Sequence, residues 1–306
     1  MRLLSQEAFE SASRYILNNG RYLEKLLFSH FFIEPCPEKI IKAYQMYQNR
    51  DGGYGNGLEP DFRMPYSSPM ATTTALQKLS QFKHEPGVLE QVEKAIHYLV
   101  DTYDPSINGW EATSKMVNLY PHAPWWKYQE GVKNFSLNPT AEIIGYLMEF
   151  NQFASGVNVE QLKNDVIEAI NTKSALEEHE LYCVIRFYNR LSDIEQLLII
   201  DKIKASYDDL VVYDPLSWDQ YVPYPLKFSE IDDFDLLGLL KSDLDNNINY
   251  LIDKITLVGH LAPTWQWGGY LEEWEIAKRE WSGVLTLDAL LQLDRFNALF
   301  NSYKKQ

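Results

Sequence analysis

One local pattern occurs three times in this sequence: a glycine turn with an aromatic residue, then a loop, then the capped start of a helix. The three helix starts align without gaps and are predicted to begin at Ser68, Asn138 and Ser282. Ser and Asn are residue types that favour helix N-caps. Each copy has Ala or Gly seven positions later, where a small side chain lets a neighbouring helix approach closely. The turns lie at 51–57, 108–110 and 265–269.

Helical periodicity dominates the rest of the chain, and signals for β-strands are few and short. It predicts about eleven helices, near residues 5–30, 38–48, 69–82, 87–102, 138–152, 158–172, 174–190, 192–206, 229–241, 243–258 and 283–298. The helix near 174–190 is expected to open with a capping box at Ser174. No Pro/Gly/Ser-rich linker divides the chain.

Repeated helical units of this kind must stack or close on themselves to bury their apolar faces. We therefore expect one all-α domain over residues 1–306. Its expected architecture is an α/α toroid, a barrel of inner and outer helices made of about five to six hairpins. An open solenoid is the alternative.

The formal net charge of −15 argues against a nucleic-acid partner, because phosphate binding needs a basic footprint. No apolar run is long enough for a signal peptide or a membrane span, so we expect a cytoplasmic protein without a transmembrane segment. Cys36 and Cys183 are too few for a multi-thiolate zinc site, and we expect no metal or other cofactor. Two reduced thiols are the favoured state, and a single bridge between them is left open.

The stretch Gln48-Asn-Arg-Asp51-Gly-Gly-Tyr54-Gly55 resembles the Q…DGGWG end of the QW repeat in the terpenoid cyclase and protein prenyltransferase superfamily. Tyr54 replaces the usual Trp, and the turns at 108–110 and 265–269 look like degenerate copies. The resemblance implies an α/α toroid with a central cavity, at whose mouth the N-termini of the inner helices converge. The chain is also similar to bacterial single-toroid proteins with a DGGYG…EPD…SP start and a WSG…T…AL end, which adds no activity.

The sequence departs from that superfamily in its catalytic motifs. It has neither D-x-D-D nor D-D-x-x-D, and no Cys lies near an Asp or His in the arrangement that binds zinc in prenyltransferases. The nearest acidic runs are Glu59-Pro-Asp61 and the segment 232–235. The resemblance therefore implies an architecture more strongly than an activity.

The first candidate site is the segment 51–63, where four glycines bring the backbone close to another group. Glu59 and Asp61 are candidate catalytic carboxylates, and Tyr54 and Arg63 are candidate binding residues. The alternatives are that the glycines only form a tight turn and that Arg63 pairs with one of these carboxylates.

The second candidate is the insertion that carries His122, Trp125 and Trp126, which echoes a similar stretch at His260. Paired Trp rings offer flat faces for a sugar, an isoprenoid or a cation. The alternatives are a structural His and a loop that only covers the ring of helices.

Further aromatic and acidic candidates come from the third repeat, from the helix of the second repeat and from a long loop at 214–225. Glu280 and Asp288 are predicted catalytic acids, and the remaining predicted binding residues are Glu142, Trp218, Asp219, Trp267 and Trp281. Four of the eight tryptophans fall within residues 265–281, interleaved with Glu. The third repeat is therefore expected to contribute to an aromatic, acid-rimmed mouth.

The function expected first is binding of an isoprenoid or similar organic ligand in an aromatic, acid-rimmed cavity, with catalysis left open. Two carboxylates flanking a sugar would instead indicate a glycosidase or lyase acting on an oligosaccharide. A non-catalytic binding or scaffold protein is the third hypothesis. The sequence decides neither the substrate nor the oligomeric state.

Overall fold

The computed structural model describes residues 2–131, 133–228 and 241–300. Over these residues the chain forms twelve α-helices and no β-strand, so the predicted all-α class is confirmed. None of the described helices is long and apolar enough to cross a membrane. The predicted helix near 229–241 and the acidic run at 232–235 lie largely or wholly outside the described residues.

The helices are short except for the last. In chain order they are α1 Gln6–Asn19, α2 Tyr22–Phe32, α3 Pro37–Gln45, α4 Pro69–Leu79, α5 Val88–Asp101, α6 Leu137–Glu149, α7 Val159–Thr172, α8 Glu178–Tyr188, α9 Asp193–Gln196, α10 Ile200–Leu210, α11 Lys241–Val258 and α12 Leu271–Arg295.

Backbone contacts divide the described residues into two compact units. The first contains residues 2–43, 211–228 and 241–300, and the second contains residues 44–131 and 133–210. The single toroid domain expected over residues 1–306 stays a prediction.

The first unit is built around α12, which packs against α1, α2 and α11. Gly283 allows the close approach, because a Cβ at that position would lie 3.0 Å from Cα of Gly20. The turn at Gly20 and Arg21 also divides the predicted helix over 5–30 into α1 and α2. Glu24 explains the break, since its carboxylate accepts hydrogen bonds from the Arg21 backbone and side chain and starts a new helix there.

In the second unit, alternate helices pack in a row: α4 against α6, α6 against α8, and α8 against α10. Helices α5 and α7 are not part of this row, and each of them packs against α6. Gly145 lets α8 approach α6, because a Cβ there would lie 3.3 Å from Cα of Phe187. The small residue predicted seven positions into the second repeat therefore has the expected role.

The predicted helix start at Ser68 is confirmed, and the one at Ser282 is wrong. Ser68 caps α4, and its Oγ accepts from the Ala71 N–H at 3.1 Å. In the second repeat α6 begins at Leu137 with Ser136 as its N-cap, but Asn138 interrupts it with the non-helical angles typical of a cap residue, so the uninterrupted helix follows Asn138. Ser282 lies inside α12, where its Oγ donates to the Lys278 carbonyl one turn earlier. A serine whose hydroxyl bonds to the preceding turn can lie inside a helix, so Ser282 is not the N-cap that was expected there.

Two other predicted boundaries also shift. Helix α8 is capped by Glu177 with Glu180, so the capping box expected at Ser174 is wrong. The predicted helix near 192–206 is divided into α9 and α10. The Glu180 carboxylate accepts from the Glu177 N–H and fixes the start of α8. The Glu195 carboxylate accepts from the Ser192 N–H in the same way, which fixes the start of α9 at the predicted residue.

The first glycine turn joins the start of α4 to α5. The Gln48 amide donates to the carbonyls of Gly52 and Gln91, both at 2.9 Å. Tyr54 is fully buried, and its hydroxyl donates to the Gln91 side chain at 3.0 Å. Gly52 has φ +89°, and a Cβ there would lie 2.3 Å from the Lys94 carbonyl oxygen. The turn is therefore pressed directly onto the backbone of α5.

Gly52→Ala is expected to lower the free energy of unfolding by roughly 3 kcal/mol or more, because the left-handed backbone and the steric clash add. Gly87→Ala is the matched control, since Gly87 has φ +83° but no neighbour within 4 Å of an added Cβ. It is expected to cost only about 1 kcal/mol. Urea unfolding followed by circular dichroism measures both, and equal losses would contradict the close contact with α5.

Candidate functional site

The predicted site residues are divided between the two units. Trp218, Asp219, Trp267, Glu280, Trp281 and Asp288 belong to the first unit, and Tyr54, Glu59, Asp61, Arg63, His122, Trp125, Trp126 and Glu142 belong to the second. Each group is described within its own unit.

In the second unit, the first and second candidate segments lie side by side. The Arg63 N–H donates to the Pro121 carbonyl and the Ala123 N–H donates to the Asp61 carbonyl, both at 2.8 Å. Phe62 and His122 form an antiparallel bridge between these bonds. The backbone thus brings Glu59, Asp61 and Arg63 together with His122, as a shared site would require.

The side chains of this paired loop are mostly buried. Glu59 and Asp61 are both buried, and a Glu59 carboxylate oxygen accepts from the Asp61 N–H at 3.3 Å. His122 Nδ1 lies 2.7 Å from the Tyr120 carbonyl oxygen. These contacts hold the loop together, and none of them indicates a catalytic role for Glu59 or Asp61.

The paired tryptophans differ in their surroundings. Trp126 packs edge-on against Phe62, with ring centroids 5.6 Å apart, and within the described chain its buried Nε1 has no hydrogen-bond acceptor. Trp125 is 49% exposed. Trp126 is therefore part of the loop packing, and Trp125 presents its ring to solvent.

In the first unit, two candidate tryptophans belong to the core. Trp218 is buried and donates from Nε1 to the Val212 carbonyl at 2.7 Å, and Trp267 is buried against Trp274. Asp219, which follows Trp218, is exposed and pairs with Lys254. These residues have structural partners that account for their positions.

The remaining candidates of the first unit lie on α12. Glu280 and Asp288 are half-buried there. Trp281 packs edge-on against Trp265, with centroids 5.2 Å apart, and its buried Nε1 has no acceptor among the described residues.

Glu142 is the most constrained of the predicted site residues. Its side chain is 2% exposed and lies between α4, α6 and α8. One oxygen accepts from the Gln77 amide at 2.9 Å and the Tyr146 hydroxyl at 3.2 Å. The other pairs with Arg186 at 3.1 Å and lies 3.6 Å from the Cys183 sulfur. Neither Cys183 nor Cys36 forms a disulfide bond.

Above Glu142 is a groove of about 730 Å³ between α4, α6 and α8. Its lining is unusually polar for a ligand site, since Tyr146 and Met148 are the main apolar side chains in it. The lining residues are Gln77, Lys78, Ser80, Gln81, Lys83, Tyr146, Met148, Glu149, Arg186, Asn189 and Arg190.

The groove is also basic. Lys78, Lys83, Arg186 and Arg190 line it together with a single carboxylate, that of Glu149. Lys and Arg make up 28 of the 306 residues of the chain but four of these eleven lining positions. The enrichment is about fourfold and is opposite in sign to the net charge, so this surface suits an anion better than a cation.

The geometry at Arg190 is held by three contacts. Its guanidinium lies 4.2 Å from the centroid of the Tyr146 ring, donates from Nε to Glu149 at 2.9 Å, and donates from Nη1 to the Arg186 carbonyl at 2.8 Å. Two of its five N–H donors are engaged by acceptors in the described chain, and three are left for water or a ligand. The side chain is therefore oriented before any ligand binds.

The sequence predictions missed this groove except for Glu142 beside it. Arg186 is on α8, and Arg190 follows four residues later in the turn after that helix. Gln77 and Gln81 have the same spacing, with Gln77 on α4 and Gln81 in the 3-10 turn that follows it. These spacings of four residues were the signal that the sequence offered for the groove.

The described residues contain no group of three or more His, Cys, Asp or Glu side chains arranged to hold a metal ion. A scan against models of known protein families, a search of curated proteins and a search of solved structures each found no match to this chain.

Glu142→Gln is expected to lower the free energy of unfolding by about 2–4 kcal/mol, because it leaves the half-buried Arg186 without its buried counter-ion. Glu90→Gln is the control, since Glu90 forms an exposed pair with Lys94 on α5 and its loss should leave stability unchanged. Denaturant unfolding measures both variants. Equal stabilities would show that the Glu142 pair adds nothing to folding.

His260, which the sequence relates to His122, stacks flat on Tyr15 in the first unit, with ring centroids 3.9 Å apart. Burial lowers the pKa of His260 below its ordinary value of 6.5. The unfolded chain therefore takes up this proton more readily, and stability falls as the pH drops below about 6.5. The resulting pH dependence belongs to one side chain and can be removed with it.

His260→Phe keeps an aromatic face on Tyr15 but removes the titrating group. We expect its melting temperature to fall less than that of the wild type between pH 7.5 and pH 5.5. Differential scanning calorimetry at several pH values makes the comparison. Parallel curves for the two proteins would assign the pH dependence to other groups.

Proposed function

We propose that this protein binds a small hydrophilic anion, with a phosphate group as the favoured chemistry, in the groove between α4, α6 and α8. The observation that carries the proposal is the concentration of Lys78, Lys83, Arg186 and Arg190 around one groove in a chain of net charge −15. Several cations facing one concave surface suit a multiply charged group, and the guanidinium fork matches phosphate oxygens.

The polar lining argues for a hydrophilic ligand. Gln77, Gln81 and Asn189 place amide groups at the groove, and amides suit the hydroxyl groups of a sugar or polyol. A hydrocarbon chain would find little apolar surface beside Tyr146 and Met148. A phosphorylated sugar therefore fits this groove better than the isoprenoid expected first.

The toroid architecture and the relationship to terpenoid cyclases and prenyltransferases are part of the proposal. The alternating packing of α4, α6, α8 and α10 in the second unit is consistent with one arc of such an array. Support for the QW-like motif comes from Gln48 and Tyr54, which tie the glycine turn to Gln91 of α5. No reaction is assigned, because Glu142 is engaged by Arg186 and Gln77.

The test is isothermal titration of the whole protein with inorganic phosphate and with a hexose phosphate, at low ionic strength. Lys83→Ala is expected to weaken phosphate binding roughly three- to tenfold, because one cation of the groove is lost. Lys94→Ala is a matched control. Lys83 and Lys94 both pair with a glutamate, and their side chains are 43% and 50% exposed, but Lys94 lies outside the groove.

Three results would contradict the proposal. The first is that neither probe binds the wild type. The second is that Lys94→Ala weakens binding as much as Lys83→Ala. The third is that a prenyl diphosphate binds far more tightly than the hexose phosphate. The last result would favour the isoprenoid hypothesis instead.

A further inference from the structure

The carboxylate of Glu149 already occupies part of the basic groove. Glu149 is the last residue of α6, and its side chain is 17% exposed. One oxygen lies 2.9 Å from Lys83 Nζ, and the other accepts from Arg190 Nε at 2.9 Å. Glu149 thus pairs with two of the four groove cations, and a third, Arg186, pairs with Glu142.

The position of Glu149 on its own helix is unfavourable for a negative charge. The C-terminal end of an α-helix carries the negative end of the helix dipole, which repels a carboxylate there. Attraction to Lys83 and Arg190 offsets this repulsion. A ligand that offers these cations other negative oxygens would therefore release Glu149 from an unfavourable place.

Arg190 stays in place when Glu149 leaves. Its contact with the Tyr146 ring and its hydrogen bond to the Arg186 carbonyl do not involve Glu149. Glu142 contrasts with Glu149, because it is buried beneath the groove and held by three further helix-borne groups. Of the two carboxylates on this face of α6, Glu149 is the one that a ligand can displace.

Resting on the function proposed above, we infer that Glu149 is an internal counter-ion of the groove, which an anionic ligand displaces from Lys83 and Arg190. It lowers the affinity for every anion and sets the ligand concentration at which the groove fills. A ligand with two or more negative oxygens can contact both Lys83 and Arg190 in place of Glu149. A ligand with a single negative oxygen can replace only one of these two contacts. The groove therefore selects phosphate-like groups over neutral polar molecules and single-oxygen anions.

Glu149→Gln tests this inference, because the amide keeps the size of the side chain and removes its charge. Titration with inorganic phosphate is expected to show about three- to tenfold tighter binding than the wild type, since two partly exposed ion pairs no longer compete. Glu90→Gln is the matched control, since Glu90 pairs with Lys94 away from the groove, and it should leave phosphate affinity unchanged.

Glu149→Ala is a second variant with the same expected direction, so the inference stays testable if the Gln variant does not fold. Phosphate binding by the wild type with equal or weaker binding by the folded Glu149 variant would overturn the inference and leave the proposed function standing. Absence of binding to the wild type and to both variants would overturn the proposed function and the inference with it.

Discussion

The second unit depends on one buried ion pair, that between Glu142 and Arg186. A carboxylate that is 2% exposed is costly unless charged and hydrogen-bonding partners surround it. Glu142 therefore requires α8 to present Arg186 and α4 to present Gln77 at the same point. Because Glu142, Arg186 and Gln77 come from three different helices, pairing this carboxylate fixes how those helices are rotated and shifted against one another. The groove results from this fixed arrangement of α4, α6 and α8.

Two acid–base pairs follow one another along the α6–α8 interface and have different roles. Glu142 and Arg186 form the inner pair, and Glu149 and Arg190, nearer the helix ends, form the outer pair. The inner carboxylate is buried, whereas the outer one is 17% exposed and lies among cations. The inner pair therefore belongs to the helix packing, and the outer pair belongs to the groove in which we propose that an anion binds.

The sequence predicted the helical class, the cap at Ser68 and the close approach at Gly145, because these follow from local spacing. It failed at Ser282, where a serine fits inside α12 by bonding to the preceding turn. The groove was also missed, since its cations come from α4, from α8 and from the turns that follow these helices, and the relative rotation of the two helices depends on buried contacts such as that of Glu142. Local residue patterns carry little information on such rotations.

A basic groove in an acidic chain would act differently on the arrival of the proposed anion and on the stability of its complex. At physiological ionic strength the Debye length is about 8 Å, so a diffusing anion would meet the repulsion of the −15 chain only close to the surface. In dilute buffer that repulsion extends further out, while the groove cations attract the anion from a short distance. For the proposed ligand, a lower salt concentration would therefore slow association and also slow dissociation.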